Sequence, residues 1–178
     1  MADKKISQLA SATTPLTGSE EVPLVQGGVT KKVAAAKLQS GPAFSAYPAA
    51  QQLVANATFV KMVFDTEEFD TASCFDTTTS RFTPNVAGYY QITLGITGSG
   101  VITGNTNSFV YKNGSLAKSI ANLPNTAGYP QAAGTALIYM NGTTDYLEAY
   151  VYQTTGAGNY MYAGAAYTFF QGVLVRGA

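Results

Sequence analysis

From Ala43 to Val175, short runs of alternating apolar and polar residues are separated by Pro, Gly, Asn and Asp. A period of two reads as half-buried β-strand. Phe44-Ser45-Ala46-Tyr47 alternates and stops at Pro48, Gln51–Val54 is a short strand, and Phe59–Phe64 is a fuller one ended by Asp65-Thr66-Glu67-Glu68. Phe75-Asp76 then opens a turn cluster, and Arg81-Phe82-Thr83 is a fragment cut off by Pro84, which lacks a ladder donor. Asn85 to Gly88 turns the chain into Tyr89–Ile96, the central long strand. Gly98, Gly100 and Gly104 mark a loop, after which Ser108–Lys112 and Leu116–Ile120 flank Asn113-Gly114, a strong hairpin signal. Asn122–Ala133 reads as a Pro/Gly/Asn loop. Thr135–Met140 and Asp145–Tyr152 flank a second Asn-Gly at 141–142, which predicts a second hairpin. Thr154–Gly164 is a Gly-rich loop, and Tyr167–Val175 closes the chain as a strand. Roughly ten strands with closely spaced turns and no long helix define an all-β sandwich or jelly roll.

Two strands also predict their faces. In the last, Phe170, Gly172 and Leu174 lie on one side, and Phe169, Gln171 and Val173 on the other. In Tyr146–Tyr152, Leu147, Ala149 and Val151 oppose Tyr146, Glu148, Tyr150 and Tyr152. One face of each enters the core. The second is rich in aromatic rings yet carries hydroxyls and a carboxylate, which suits a subunit interface. Tyr146, Tyr150, Tyr152, Phe169 and Val173 are therefore the candidate contacts between copies.

Residues 1–40 follow another pattern. They hold no aromatic residue, and Ile6, Leu9, Leu16, Val22, Leu24, Val25, Val29, Val33 and Leu38 are spread among Ser, Thr, Gly and Lys. Val22–Gln26 and Val29–Val33 form two short strands about Gly27-Gly28, and Ala34–Leu38 adds a helical turn. Lysines 4, 5, 31, 32 and 37 against Asp3, Glu20 and Glu21 leave two positive charges. Such a segment has no core of its own and is expected to order on a partner. Gly41-Pro42 is the boundary, giving a module of residues 1–40 and a main domain of residues 41–178.

Composition narrows the function classes. Charged residues are only 11% of the chain and apolar residues 46%. Average domains carry about 25% charged residues, so much of this surface is expected to be covered, most simply by other copies. Net charge is zero and no basic run exceeds two residues, which argues against nucleic acid as a partner. No apolar run approaches the roughly 20 residues of a membrane span, and the start has no apolar signal core. Assembly in a cytoplasm is the expectation.

Catalysis has little material. The chain has no histidine, so Ser-His-Asp and Cys-His devices are excluded. The single cysteine, Cys74, beside Phe75, reads as a small buried hydrophobe rather than a nucleophile. Asp145 and Glu148 are three apart and do not share a strand face. No catalytic residue and no resident cofactor are assigned. The acidic cluster Asp65, Glu67, Glu68 and Asp70 is the candidate for calcium, although its spacing fits no loop motif and a solvated acidic loop is commoner. Tyr129, Tyr160 and Tyr162, in the Gly-rich loops, are the candidate ligand contacts.

The order of these pieces resembles the globular head of complement component C1q, the jelly roll shared with the tumour-necrosis-factor family. The corner is most similar: Phe75-Asp76, Thr79-Ser80-Arg81-Phe82-Thr83-Pro84 and Val86-Ala87-Gly88-Tyr89-Tyr90. Phe44-Ser45-Ala46, Val110-Tyr111-Lys112-Asn113-Gly114, the paired strands of Gly134–Gln153 and the closing Tyr167–Leu174 resemble the family in the same order. The resemblance implies a ten-stranded jelly roll, a compact homotrimer and a binding surface on outer loops. Residues 4–38 resemble the N-terminal modules of bacteriophage tail-fibre and head-fibre proteins. Together they imply a structural phage protein: a short trimeric head fibre, capsid decoration or tail appendage, made in the host cytoplasm and carried on the virion. Ile6, Leu9, Leu16, Val22, Leu24, Val25, Val29 and Val33 would attach it to another virion protein. The head would adhere to the host surface, through glycan or protein. A dedicated glycan-recognising tail-fibre tip is the functional rival, and a glycan-degrading enzyme the rival from another class.

Overall fold

The computed structural model describes residues 19–35, 41–100, 103–125 and 129–178. The chain divides into two compact units, Met1–Ser40 and Gly41–Ala178. In the first, β1 (Glu21–Gln26) and β2 (Val29–Ala34) pair antiparallel with Gln26 opposite Val29. Gly27 and Gly28 adopt φ of 61° and 76°, the two left-handed residues of a tight hairpin turn. Lys32 pairs with Glu21 at 2.7 Å, and Ala35 N–H donates to Glu20 O at 2.7 Å. Val22, Val25 and Val29 are exposed. Of the expected attachment residues, Ile6, Leu9 and Leu16 lie outside the described residues. So do Ala36–Leu38 of the expected helical turn, while Ala34 ends β2.

Among the described residues the second unit holds thirteen strands, three more than the pattern predicts. In chain order they are β3 (Ala43–Tyr47), β4 (Gln52–Val54), β5 (Val60–Lys61), β6 (Thr66–Asp70), β7 (Phe75–Asp76), β8 (Arg81–Phe82) and β9 (Gly88–Thr97), followed by β10 (Gly104–Lys112), β11 (Ser115–Asn125), β12 (Gln131–Met140), β13 (Leu147–Gln153), β14 (Asn159–Met161) and β15 (Phe169–Gly177). One sheet runs β12-β9-β15-β3-β6. The other runs β11-β10-β13-β8-β7, with β5 also on β13, and β14 pairs with β4. The extra elements are two- and three-residue pieces and the acidic segment, too short or too polar for alternation to register.

The core lies between the sheets. Phe44, Phe82, Tyr90, Ile92, Leu94, Leu147, Val151 and Phe170 are fully or almost fully buried. Phe44 sits at its centre, stacked on Phe82 at 4.4 Å and Phe75 at 4.9 Å, with Phe170 edge-on at 5.1 Å. The predicted inward faces are observed: Leu147, Ala149, Val151, Phe170 and Gly172 are buried. Around the corner, Asp76 accepts from Thr78 N–H at 2.8 Å and Thr79 Oγ1 at 2.7 Å. The buried Tyr90 hydroxyl donates to Val86 O at 2.7 Å, and burial pushes its pKa up to about 12.

Three local expectations fail for identifiable reasons. Phe59–Phe64 does not form a full strand, because its N–H groups leave the ladder: Val63 N–H goes to Gln52 Oε1 and Phe64 N–H to Ser80 Oγ, both at 2.8 Å. The predicted acidic loop contains β6, which pairs with β3 through a bulge at Ser45/Ala46. Asn141-Gly142 does not close a hairpin: β12 pairs with β9 and β13 with β10, so the chain crosses between sheets there. Asn141 Oδ1 instead accepts from the N–H groups of Thr143, Thr144 and Asp145. At Asn113-Gly114, by contrast, β10 and β11 form the expected hairpin, with φ of 53° and 77°.

The sandwich has two distinct ends. Gly177 pairs with Gly88, and Val173 with Ala43, so this unit begins and finishes at one end. Thr97 pairs with Gln131 at the other. The ten residues of β9 separate these ends by roughly 30 Å, at about 3.4 Å per residue.

Candidate functional site

At the end remote from the termini, Thr97-Gly98-Ser99 ties three segments together. Thr97 Oγ1 donates to Tyr167 O at 2.8 Å, and Tyr162 N–H donates to Thr97 O at 2.8 Å. Gly98 N–H donates to Pro130 O at 2.8 Å, and Ser99 N–H to Tyr160 O at 2.6 Å. Gly164, at φ 91°, turns the chain back, with its own N–H on Pro48 O and its carbonyl accepting from Tyr167 and Thr168. A Cβ at Gly98 would stand 2.8 Å from both Pro130 Cγ and Asn159 Nδ2, so only glycine lets these segments close on one another.

These ties bring three tyrosines together. Tyr129, Tyr162, Tyr167 and Thr97 line a cavity of about 340 Å³. Tyr162 is 5.7 Å from Tyr129 and 5.4 Å from Tyr167 between ring centroids, with tilts of 57° and 36°. Loss of solvent around the Tyr162 phenol, then the adjacent Tyr129, pushes its pKa up. Of the three expected ligand tyrosines, Tyr129 and Tyr162 meet here and Tyr160 does not. Tyr160 lies on β14, where the adjacent Asn159 and Met161 are buried and Tyr160 is exposed. The flanking loops are shorter than predicted, since β11 reaches Asn125, β12 begins at Gln131 and β14 interrupts the later loop. Tyr167 was hidden within the predicted last strand. The small-residue run Ala163-Gly164-Ala165-Ala166 before it is the signal that a turn, not a strand, holds it.

The calcium candidates do not converge. Asp65 Oδ1 accepts from Ala49 N–H at 2.7 Å, and Glu68 Oε2 from Ser45 Oγ at 2.6 Å. Asp70 accepts from the N–H groups of Ala72, Cys74 and Phe75 at 3.0, 2.6 and 2.7 Å. Glu67 is exposed on β6. Among the described residues, no three His, Cys, Asp or Glu side chains are grouped to hold a metal ion. Asp70 instead organises the chain into β7. Partial burial opposes its ionisation, but these donors prevail and hold its pKa below the usual value. Asp70→Ala leaves three N–H groups without this acceptor and is expected to destabilise the unit by about 1–3 kcal/mol. A urea midpoint equal to wild type would refute that role. Burial, then the Asp70 charge, pushes the Cys74 thiol up to about 12, so it is unreactive at neutral pH.

The carboxylates of β13 and its approach are also committed. Asp145 accepts from Lys112 Nζ at 2.7 Å, Asn113 Nδ2 at 2.8 Å and Asn141 N–H at 2.9 Å. Glu148 is buried and accepts from Lys61 Nζ at 2.5 Å and Arg81 Nε at 2.9 Å.

The five residues expected between copies do not lie on one face. Tyr146, Tyr150 and Tyr152 are on the outside of the six-stranded sheet, whereas Phe169 and Val173 are on the outside of the five-stranded one. The first group covers itself. Tyr150 stacks on Tyr111 at 4.1 Å, Tyr152 packs on Phe59 at 4.8 Å, and the Arg81 guanidinium lies 4.2 Å over Tyr146. The second face carries a cross-strand polar row, Thr135–Thr93–Gln171–Ser45, continued to Glu68 by a hydrogen bond. Thr135 and Thr93 hydroxyls are 3.1 Å apart, and Gln171 Nε2 donates to Ser45 Oγ at 3.0 Å. Around this row Phe69, Tyr89, Leu137, Tyr139 and Val173 are each between 43% and 54% exposed, a large apolar area for an unpartnered surface.

No protein-family model matches the sequence, and neither does any curated protein. Solved structures do match the fold. The globular domain of zebrafish complement 1qA is 18% identical, with a TM-score of 0.53, over 77% of this chain and 99% of that one. Murine APRIL is 9% identical with a TM-score of 0.57, over 75% of this chain and 98% of that one. Eiger TNF from S. frugiperda is 10% identical with a TM-score of 0.55, over 78% of this chain and 96% of that one. The chain therefore has a C1q/TNF-like jelly-roll fold.

Proposed function

We propose that this protein is a non-enzymatic, homotrimeric structural component of a phage virion, a short head fibre, capsid decoration or tail appendage that displays its jelly roll to the host surface. The observation that carries the reading is the N-terminal hairpin. Its β1 and β2 pair only with each other among the described residues, and Val22, Val25 and Val29 are exposed. A two-stranded hairpin is marginal alone and gains stability from a partner surface. The similarity of residues 4–38 to phage fibre modules supplies the nature of that partner. The half-exposed aromatic and aliphatic side chains around the Thr135–Ser45 row support a second copy as the cover for the five-stranded sheet. In a threefold ring each contact is heterologous, so both outer faces of the sandwich are available to it.

Two measurements test this. Light scattering on the full chain should give three times the chain mass, and a clean monomer overturns the trimer. Deleting residues 1–40 should leave the melting of the head unchanged and abolish its recovery with purified phage particles. Particles that retain the truncated head overturn the attachment role. The tyrosine pocket favours a second reading, a receptor-binding tip for host glycan, and binding of purified protein to host cells distinguishes it from a purely structural decoration.

A further inference from the structure

We propose that the Tyr129–Tyr162–Tyr167 pocket binds one neutral sugar ring. This deepens the adhesion reading and rests on it for the source of the sugar, a host-surface glycan. Binding itself stands on the geometry of the cavity.

Size comes first. At about 340 Å³ the cavity falls at the small end of ligand sites, roughly 300–1,000 Å³. It suits a single ring held at one end of a chain better than a long polymer segment. Chemistry comes second. Among the described residues the lining is three phenols and one threonine, with no charged side chain. A phosphate, carboxylate or ammonium would be partly desolvated there without a counter-charge. A wholly apolar guest would offer no further partner to the phenol tips, of which those of Tyr162 and Tyr129 bond each other. A pyranose satisfies both demands, because its C–H face lies on an aromatic ring while its hydroxyls meet phenol tips.

Geometry supplies the third argument. The rings are tilted against one another by 57° and 36° rather than stacked, so their faces are not consumed by mutual contact. Tyr129 and Tyr167 are 64% and 53% exposed, unlike the buried Tyr90. Their backbones are nevertheless fixed, through Thr97 Oγ1 to Tyr167 O and through Gly98 N–H to Pro130 O, next to Tyr129. A preformed cup on strand ends loses little freedom on binding. Position is the fourth. The pocket lies at the end of the sandwich away from Ala43 and Gly177, where a head presented from its N-terminal side meets another surface.

The test uses the full-length chain and methyl glycosides of glucose, galactose, mannose and N-acetylglucosamine, with N-acetylneuraminic acid as the charged control. The chain has 12 tyrosines and no tryptophan, so emission sums over all 12 rings, and saturation-transfer NMR on the sugar, compared between wild type and the pocket variants, reports the pocket. At least one neutral glycoside should bind saturably, with a dissociation constant on the order of millimolar. Tyr129→Ala and Tyr162→Ala should each weaken it by about tenfold or more, while Tyr160→Ala leaves it unchanged. The exposure of Tyr129 makes its variant the one that keeps the native melting curve, so loss of binding there is not loss of fold. Failure of every neutral glycoside overturns the proposal, as does binding that ignores both Tyr129→Ala and Tyr167→Ala. A preference for N-acetylneuraminic acid, or capture of a short polyproline peptide in place of every sugar, overturns the ligand class. Glycoside binding without host-cell binding removes the adhesion reading and leaves the pocket. Host-cell binding undiminished in Tyr129→Ala and Tyr167→Ala does the reverse.

Discussion

Replacing Lys61 and Arg81 together by methionine should destabilise the jelly roll by about 3–5 kcal/mol at neutral pH, the cost typical of a buried charge deprived of its partners. The asymmetry of the network makes this the sensitive side. The Glu148 side chain is 4% exposed, whereas those of Lys61 and Arg81 are 30% and 41% exposed. The cations can turn to water if the carboxylate is removed, but the carboxylate has no such escape. Lys61 Nζ also bonds Thr79 O at 2.7 Å, so it retains one acceptor when Glu148 is neutralised. Glu148→Gln is therefore expected to cost less than the double change.

The pH dependence of the Glu148 contribution should invert as well. In the native protein, burial raises the Glu148 pKa, but the hydrogen bonds and charges of Lys61 and Arg81 outweigh it and hold the pKa below the ordinary 4.5. The unfolded chain then binds the proton more readily than the folded one. The stabilisation from ionised Glu148 is fully present above pH 4.5 and is lost as pH falls through the lower folded value. In the double variant burial acts alone and places the folded pKa above the unfolded one. The Glu148 contribution in that variant should be greatest in acid and decline as pH rises through that raised value, so the deficit against wild type widens with pH. Urea midpoints followed across the acid range give the result. A deficit of constant size from acid to neutral pH would remove Glu148 from the explanation.

Phe44→Ala is the second large effect, expected at about 3–5 kcal/mol. Phe44 is 1% exposed and contacts three other rings, Phe75, Phe82 and Phe170, which come from both sheets. Its ring also crosses the backbone of Gly172, where a Cβ would stand 2.6 Å from Phe44 Cε1 and 2.9 Å from Ile92 Cδ1. Gly172 itself has no side chain to fill the vacancy. Phe59→Ala offers the control. Phe59 also touches three rings, Phe109, Tyr111 and Tyr152, but is 48% exposed on the outer face. Its loss should cost no more than about 1 kcal/mol. Equal urea midpoints for the two variants would mean that the ring cluster around Phe44 is not the energetic centre of the sandwich.

The sequence was most informative where partners are close along the chain. The Asn113-Gly114 hairpin, the Pro84/Gly88 corner and the inward faces of β13 and β15 all follow from local chemistry and a period of two. Alternation says which residues share a face but not which sheet a strand joins. That is why Asn141-Gly142 reads as a hairpin although β12 and β13 belong to different sheets. Asp and Glu are poor strand formers, so β6 had no local signal; its order comes from β3, 19 to 26 residues earlier. The pocket was legible in part. Tyrosines in Gly-rich loops were visible as ligand candidates, whereas their convergence depends on the Thr97 carbonyl and hydroxyl bonding segments more than sixty residues away.

The Asn113-Gly114 turn has a chemical consequence. Asparagine followed by glycine is the pair most open to deamidation, because glycine leaves the backbone N–H free to attack the side-chain amide. Here that amide is held at both ends: Nδ2 donates to Asp145 Oδ1 at 2.8 Å, and Oδ1 accepts from Tyr146 N–H at 3.0 Å. In the folded protein the clamp holds the amide away from the geometry of attack. Once the chain loosens and the amide hydrolyses, refolding would set a new carboxylate against Asp145, two acceptors where a donor is required. The turn that initiates the β10–β11 hairpin thus also records the time a molecule has spent unfolded, and ageing at this position is partly self-concealing for as long as the head stays folded.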